Sequence, residues 1–341
     1  MSAMSNLLKT ALTAALAALM SACGAPGRDT THYVEGGVWN TTYHITYTGG
    51  PASLEDSVIA VMGEVEASLS AFLDSSTVSR VNAAPSGTVM ADPLLRRCLE
   101  ASRRVSALSG GAFDPTVGPL VSLWGFGPAK TQGVTPSDAA IDSALTTVGI
   151  ASCYVDSIGR VIKKADATAF NFSAIAKGMG CDAIGDMLRR NGVTDYMVEI
   201  GGEIALNGVS PRGCPWRVQV DAPLASDTSV IHERLAVIEL TSGGVATSGN
   251  YRNYRETGGQ RAVHTISPTT GRPIETSTLS ATVTAPDCMT ADALATACMA
   301  MQPDEALAMI ERISGAEAML VSRDTSGAFR LHRTPGFRLK Q

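Results

Sequence analysis

Apolar positions along this chain change their period several times, and each change marks an element. In "TTYHITYT" (41–48) polar and apolar side chains alternate up to a Gly-Gly pair, as in a strand that ends in a turn. From Ser53 the period lengthens. Val58, Met62, Val65, Leu69 and Phe72 recur three and four residues apart, which predicts a helix opened by a Ser53/Asp56 capping pattern and closed by Phe72. Asp92-Pro93 starts a second helix that runs to about Leu108, with Leu95, Cys98, Leu99 and Val105 inward. A third amphipathic stretch covers Pro136 to Val148.

The second half mixes the two periods. A helix from about Lys177 stops at Asn191-Gly192, and "DYMVEI" follows as a strand. "WRVQV", "LAVIEL" and "LSATVT" are further strands, with alternation clearest in the last. Helices near 290–301 and 303–314 precede the strand "AMLVS". No regular βαβ rhythm appears and no glycine-rich phosphate loop follows a strand. The predicted class is α+β, not a doubly wound sheet.

The N-terminus reads differently. "MSAMSNLLKTALTAALAALMSAC" has a polar start with Lys9, an apolar run from Ala11 to Met20, and small residues before Cys23. The run is too short to span a bilayer but suits the core of a signal peptide. Small residues ahead of a cysteine resemble a lipoprotein signal, in which residues 1–22 are removed and Cys23 is lipidated. Residues 23–36, with "GAPGRDTT" directly after Cys23, read as a tether, and one domain is expected from 37 to 341. The expected location is the periplasmic face of the inner membrane.

Composition adds exclusions. Among 341 residues only 17% are charged and 45% are apolar, so the chain is globular, with a large core. The net charge of -5 and the lack of a basic run set nucleic acid aside. Six cysteines follow Cys23, none in a CxxC pair or at zinc spacing, and they read as small core residues.

Four loop-like stretches carry candidate chemistry. "SGGAFDPTVGPLVSLWGFGP" (109–128) places aromatics in a glycine-rich loop, which can form a flat slot for a ring with backbone amides at its edge. "NFSAIAKGMGCD" (171–182) runs into a helix where Lys177 can meet an anion. "ATSGNYRNYRETGGQRAVHTISPTTGRP" (246–273) combines small residues, arginines and His264. In "CMTADALATA" (288–297) Asp292 and Thr296 lie one helical turn apart on a face otherwise bare. These oxygens suit a hard metal; equally, Thr290 could cap the helix with Asp292 as a first-turn acid. Together the stretches point to an exported enzyme or binder of a flat, anionic small molecule.

In this order, these stretches with "EIGGEIALNG" resemble the ApbE family, the FAD:protein FMN transferases. The likeness runs from about Gly37 to Val321. It implies an α+β, ApbE-like fold related to the T-fold. It also implies Mg²⁺ as cofactor and FAD as donor of FMN to a Thr or Ser of an exported or membrane redox protein, with AMP released. A subunit of a sodium-translocating NADH:quinone reductase or an Rnf-type complex would be such an acceptor. By the resemblance, flavin contacts fall at Trp39, Phe72, Ala112, Phe113, Asp114, Asn171, Lys177 and Ile266. Asp292, Thr296 and backbone oxygens near Ala174 and Ala295 would hold the metal. His264 is the candidate base, with Asp114 its rival. The chain departs from the family's usual residues at Trp39 (Met), Phe72 (Tyr), Asn171 (an acid) and Thr269 (a basic residue). Two other activities fit the same residues: a Mg²⁺-dependent FAD pyrophosphatase and a non-catalytic flavin-binding lipoprotein.

Overall fold

Fourteen short and long strands and eight α-helices are seen among the described residues, and one large sheet organises them. The computed structural model describes residues 30–127, 135–224, 233–249, 254–257, 260–263, 265–274, 276–324 and 327–340, with backbone only at 254–257 and 260–263. Cys23, the signal stretch, the first half of the tether and His264 lie outside the described residues.

The sheet contains β1 (Thr31–Val38), β2 (Thr41–Thr48), β5 (Asp195–Ile200), β6 (Glu203–Asn207), β9 (Ser242–Gly249), β12 (Thr278–Ala285), β13 (Glu317–Arg323) and β14 (Phe329–Arg333), in that spatial order. From β2 to β14 every neighbouring pair is antiparallel. Three small hairpins complete the strands: β3 (Tyr154–Val155) with β4 (Val161–Ile162), β7 (Trp216–Asp221) with β8 (Arg234–Leu240), and β10 (Tyr254–Thr257) with β11 (Gln260–Val263).

Both faces of the sheet are covered, and the strand period shows by what. In β6, Ala205 faces a core that includes helix residues, while Ile204 and Leu206 face the β7–β8 hairpin. In β13, Leu320 and Met319 divide the same way. The helical side carries α1 (Glu55–Leu69), α3 (Pro93–Leu108), α6 (Ala176–Arg190) and α7 (Cys288–Met299). Short α2 (Thr77–Ala83), α4 (Gly118–Leu123), α5 (Asp138–Leu145) and α8 (Pro303–Ile310) fill the periphery. Ile266 packs with Leu120 of α4 and Ile141 of α5 in a satellite core.

Helix α7 is buried along almost its whole circumference, against β9, β12, α6 and α3. Its alanines keep it thin, and two glycines let it come close. A Cβ on Gly178 of α6 would lie 2.4 Å from the Cys288 carbonyl oxygen, and one on Gly244 of β9 would lie 2.3 Å from the Cys288 nitrogen.

Several expectations change. Residues 31–36, assigned to the tether, form most of β1. Ser53 does not cap α1; Leu54 holds that position without a side-chain bond, and the helix stops at Leu69, before Phe72. Asp287, not Thr290, caps α7, its carboxylate accepting from the Thr290 amide at 2.8 Å. "ATSG" (246–249) is not loop but the end of an inner strand, because α7 presses on it and only small side chains fit. The helix expected over 136–148 is shorter, Asp138–Leu145, with Ser137 as its cap. All six cysteines after Cys23 are free, and five are buried.

Candidate functional site

A cleft of about 1050 Å³ opens beside α7 and gathers parts of all four candidate stretches. The β1–β2 connection supplies its first wall. Trp39 and Asn40 sit there at φ 49° and 60°, the left-handed region, as a two-residue hairpin turn requires. The Trp39 ring lies on α6, where a Cβ added to Gly180 would come within 2.7 Å of it, and its Nε1 is buried without a partner.

The glycine-rich stretch forms the opposite wall through Ala112, Phe113, Asp114 and Phe126. Asp114 fixes this loop. One carboxylate oxygen accepts from the Thr116 amide (2.8 Å) and hydroxyl (2.5 Å), the other from the Ile150 amide (2.9 Å). The Thr116 hydroxyl oxygen in turn accepts from the Gly149 amide at 2.7 Å. Asn171 ties the next stretch on: its backbone amide donates to the Pro115 carbonyl at 2.7 Å, and its side-chain oxygen accepts from the Ser173 amide at 2.9 Å. Trp124 does not face the cleft; its Nε1 donates to the Gly271 carbonyl at 2.7 Å, docking the 265–273 segment on α4.

The floor is charged. Lys177, in the first turn of α6, forms an ion pair with Glu203 at the head of β6. Asp292 of α7 is 2% exposed, and its Oδ2 accepts from the Gly178 amide at 3.0 Å. Burial pushes the Asp292 carboxyl up, against the pull of Lys177 and the Gly178 bond. Burial also raises Glu203; the Lys177 ammonium opposes this and the Asp292 charge adds to it. Burial alone would discharge Lys177, but Asp292 and Glu203 together hold its ammonium above the ordinary lysine range. Thr296 completes the group, its hydroxyl 3.3 Å from that of Ser248 on β9.

The cleft thus contains Trp39, Ala112, Phe113, Asp114, Asn171, Ala174, Lys177, Ile266, Asp292 and Thr296, ten of the residues singled out by sequence. Two others fall elsewhere. Phe72 sits past the end of α1, 61% exposed, and does not line the cleft. The Ala295 side chain is buried in the core, leaving only its backbone oxygen for a ligand. Sequence reading missed Glu203 although its motif was in view. An acid at the head of an otherwise apolar strand was the available signal. It also missed Val218, Gln219 and Val220, which the β7–β8 hairpin brings over the cleft.

A divalent cation fits this floor. Asp292, the Thr296 hydroxyl and nearby carbonyls are hard oxygen donors, and Glu203 Oε2 is a buried polar atom with no hydrogen-bond partner. Among the described residues no cluster of three or more His, Cys, Asp and Glu forms a closed cage. A site completed by ligand phosphates needs none.

A second carboxylate positions α7 from below. Asp182 accepts from the Cys288 amide (2.9 Å) and the Met289 amide (2.8 Å), the first two donors of α7. Burial raises its carboxyl from 3.8 to about 7, despite those two bonds. Between these values the folded chain keeps a proton that the unfolded chain has released. Stability should therefore fall as pH rises from about 4 to about 7, at up to about 1.4 kcal/mol per pH unit, and level off beyond. Thermal unfolding across that window tests this. Asp182→Asn is expected to remove about one proton from the slope; an unchanged slope would assign it to other groups.

The same architecture occurs in solved flavin transferases. The flavin transferase ApbE from Vibrio cholerae superposes with a TM-score of 0.80 at 33% identity, covering 91% of this chain and 98% of that one. The apo flavinyl transferase ApbE of Pseudomonas stutzeri gives 0.81 at 35% identity, covering 92% and 97%. In sequence, the FAD:protein FMN transferase of Vibrio cholerae is 36% identical over 90% of this chain and 91% of that protein. That of Haemophilus influenzae is 32% identical over 94% of each. The model of the ApbE family matches residues 39–320. This chain belongs to the ApbE family.

Proposed function

We propose that this protein transfers FMN from FAD to a Thr or Ser hydroxyl of an exported or membrane redox protein, with Mg²⁺ at the Asp292/Thr296 floor. The convergence of Asp292, Thr296 and Lys177 with the 112–115 loop in one cleft carries the reading. Trp39, Phe113, Phe126 and Ile266 offer apolar surface for the flavin ring, and the peptide edges of 112–115 offer it polar partners. Lys177 meets the pyrophosphate from the α6 N-terminus. Mg²⁺, held by Asp292, Thr296 and the backbone oxygens of Ala174 and Ala295, supplies charge neutralisation at the phosphates when bound.

In the reaction the acceptor oxygen forms a bond to the FMN-side phosphorus, the bond from that phosphorus to the AMP oxygen breaks, and the hydroxyl proton passes to a base. Positioning and charge do most of the work in such a transfer. Asp114 has both carboxylate oxygens engaged in holding its loop, which favours His264 as the base. Export and anchoring through Cys23 belong to the same reading, on the strength of the N-terminal pattern.

One experiment addresses reaction and anchoring together. Membrane and soluble fractions from cells producing the parent or Cys23→Ala are incubated with FAD, Mg²⁺ and a redox acceptor carrying a candidate Thr. FMN on the acceptor should appear with AMP in equal amount, in the membrane fraction for the parent and in the soluble fraction for the variant. AMP in large excess over bound FMN, at saturating acceptor, would make the protein a pyrophosphatase. Flavin binding without AMP would make it a carrier.

A further inference from the structure

We propose that Glu203 is a second carboxylate ligand of the divalent cation, and that Lys177 holds the cation's place until it arrives. The proposal rests on the reading of Asp292 and Thr296 as cation ligands.

Glu203 is rigidly placed. It opens β6, paired with Ile200 of β5, and its carbonyl accepts from the Cys181 thiol at 3.1 Å. Its side chain lines the cleft although it is only 3% exposed. One carboxylate oxygen is occupied by the Lys177 ammonium; the other, Oε2, is buried and has no hydrogen-bond partner. A buried carboxylate oxygen without a donor is unfavourable, and a purely structural ion pair would leave none open.

Charge points the same way. Glu203 and Asp292 act on each other and on the one ammonium they share; with both ionised they leave one negative charge in excess, which the buried floor resists by raising both carboxyls. A divalent cation reverses that sign and leaves the floor positive, as a pyrophosphate requires. With its carboxylate partners taken over, Lys177 is released to turn toward the phosphates. Magnesium is commonly held by one or two carboxylates together with substrate phosphates. Asp292 is the first here, and Glu203 makes the second, since Ala295 offers no side-chain oxygen.

The test is a titration of the full chain with Mn²⁺ alone, without FAD, following free Mn²⁺ by electron paramagnetic resonance. Parent, Glu203→Gln, Asp292→Asn and Lys177→Met are compared, with a melting curve for each. The parent should bind Mn²⁺. Glu203→Gln and Asp292→Asn should each weaken binding about tenfold or more. Lys177→Met should tighten it, because the ammonium no longer competes. Unchanged affinity in Glu203→Gln beside weakened Asp292→Asn overturns the proposal and leaves the Asp292/Thr296 reading standing. Absence of binding in the parent overturns both. If Glu203→Gln does not fold, Lys177→Met decides: affinity no higher than the parent's makes Glu203 a mere counter-ion and overturns the exchange.

Discussion

An Asp292→Ala variant is expected to fold and to bind flavin, yet to release almost no AMP from FAD. Folding survives because of the charge arrangement on the cleft floor. The parent buries two carboxylates around one ammonium; without Asp292, Lys177 and Glu203 remain as a balanced pair. The Gly178 amide loses its acceptor, a cost of about 1–3 kcal/mol, which relief of carboxylate repulsion offsets in part. Chemistry does not survive. Loss of a full charge beside the pyrophosphate costs several kcal/mol of transition-state stabilisation, about 4 kcal/mol corresponding to three powers of ten in rate. AMP release at limiting Mg²⁺, measured beside a melting curve, checks both parts. A rate within about tenfold of the parent's would reduce Asp292 to a hydrogen-bond acceptor for α6.

The second large effect comes from a single methyl group. Gly178→Ala places a carbon 2.4 Å from the Cys288 carbonyl oxygen and 2.8 Å from both its carbonyl carbon and the Met289 Cα. Every one of these atoms is backbone, so no side chain can swing aside. Helices α6 and α7 must separate, and the Gly178 amide then leaves Asp292. The expected loss is about 3 kcal/mol of stability, with weakened cation binding in whatever remains folded. Gly63, exposed in mid-α1, meets nothing within 4 Å, so Gly63→Ala serves as the opposite control. It should gain about 0.5–1 kcal/mol. Equal melting temperatures for the two variants would remove the close crossing of α6 and α7 from the account.

Much of this arrangement was legible in the chain where one pattern dominated. Strand β2 falls on the residues that alternation marked, β5 on "DYMVEI" after the helix stop, and α3 starts at Asp92-Pro93 because that acid caps it, accepting from the Leu95 amide at 2.8 Å. Asp292 and Thr296 reach the same cleft because the four-residue spacing is a helical one. What was illegible depended on contacts distant in sequence. β9 carries small residues chosen by the pressure of α7, so no period-two pattern of large apolar groups betrays it. Phe72 continued the spacing of α1, but Ser70 turns extended and ends the helix first. Glu203 looked like part of a glycine-rich motif, and its role emerges only when β6 meets α6.

The spatial order of the large sheet follows the order of its strands along the chain, from β1 at one edge to β14 at the other. No strand has to be inserted between two that have already paired. As the chain is delivered N-terminus first, each strand can dock on the free edge left by its predecessor, which spares the chain one source of kinetic traps. Lys177 and Glu203 are placed early in this succession, whereas Asp292 arrives on α7, between β12 and β13. A chain that has not yet delivered its last sixth therefore has most of the cleft's walls but not Asp292, and the charged floor is complete only when the final elements arrive.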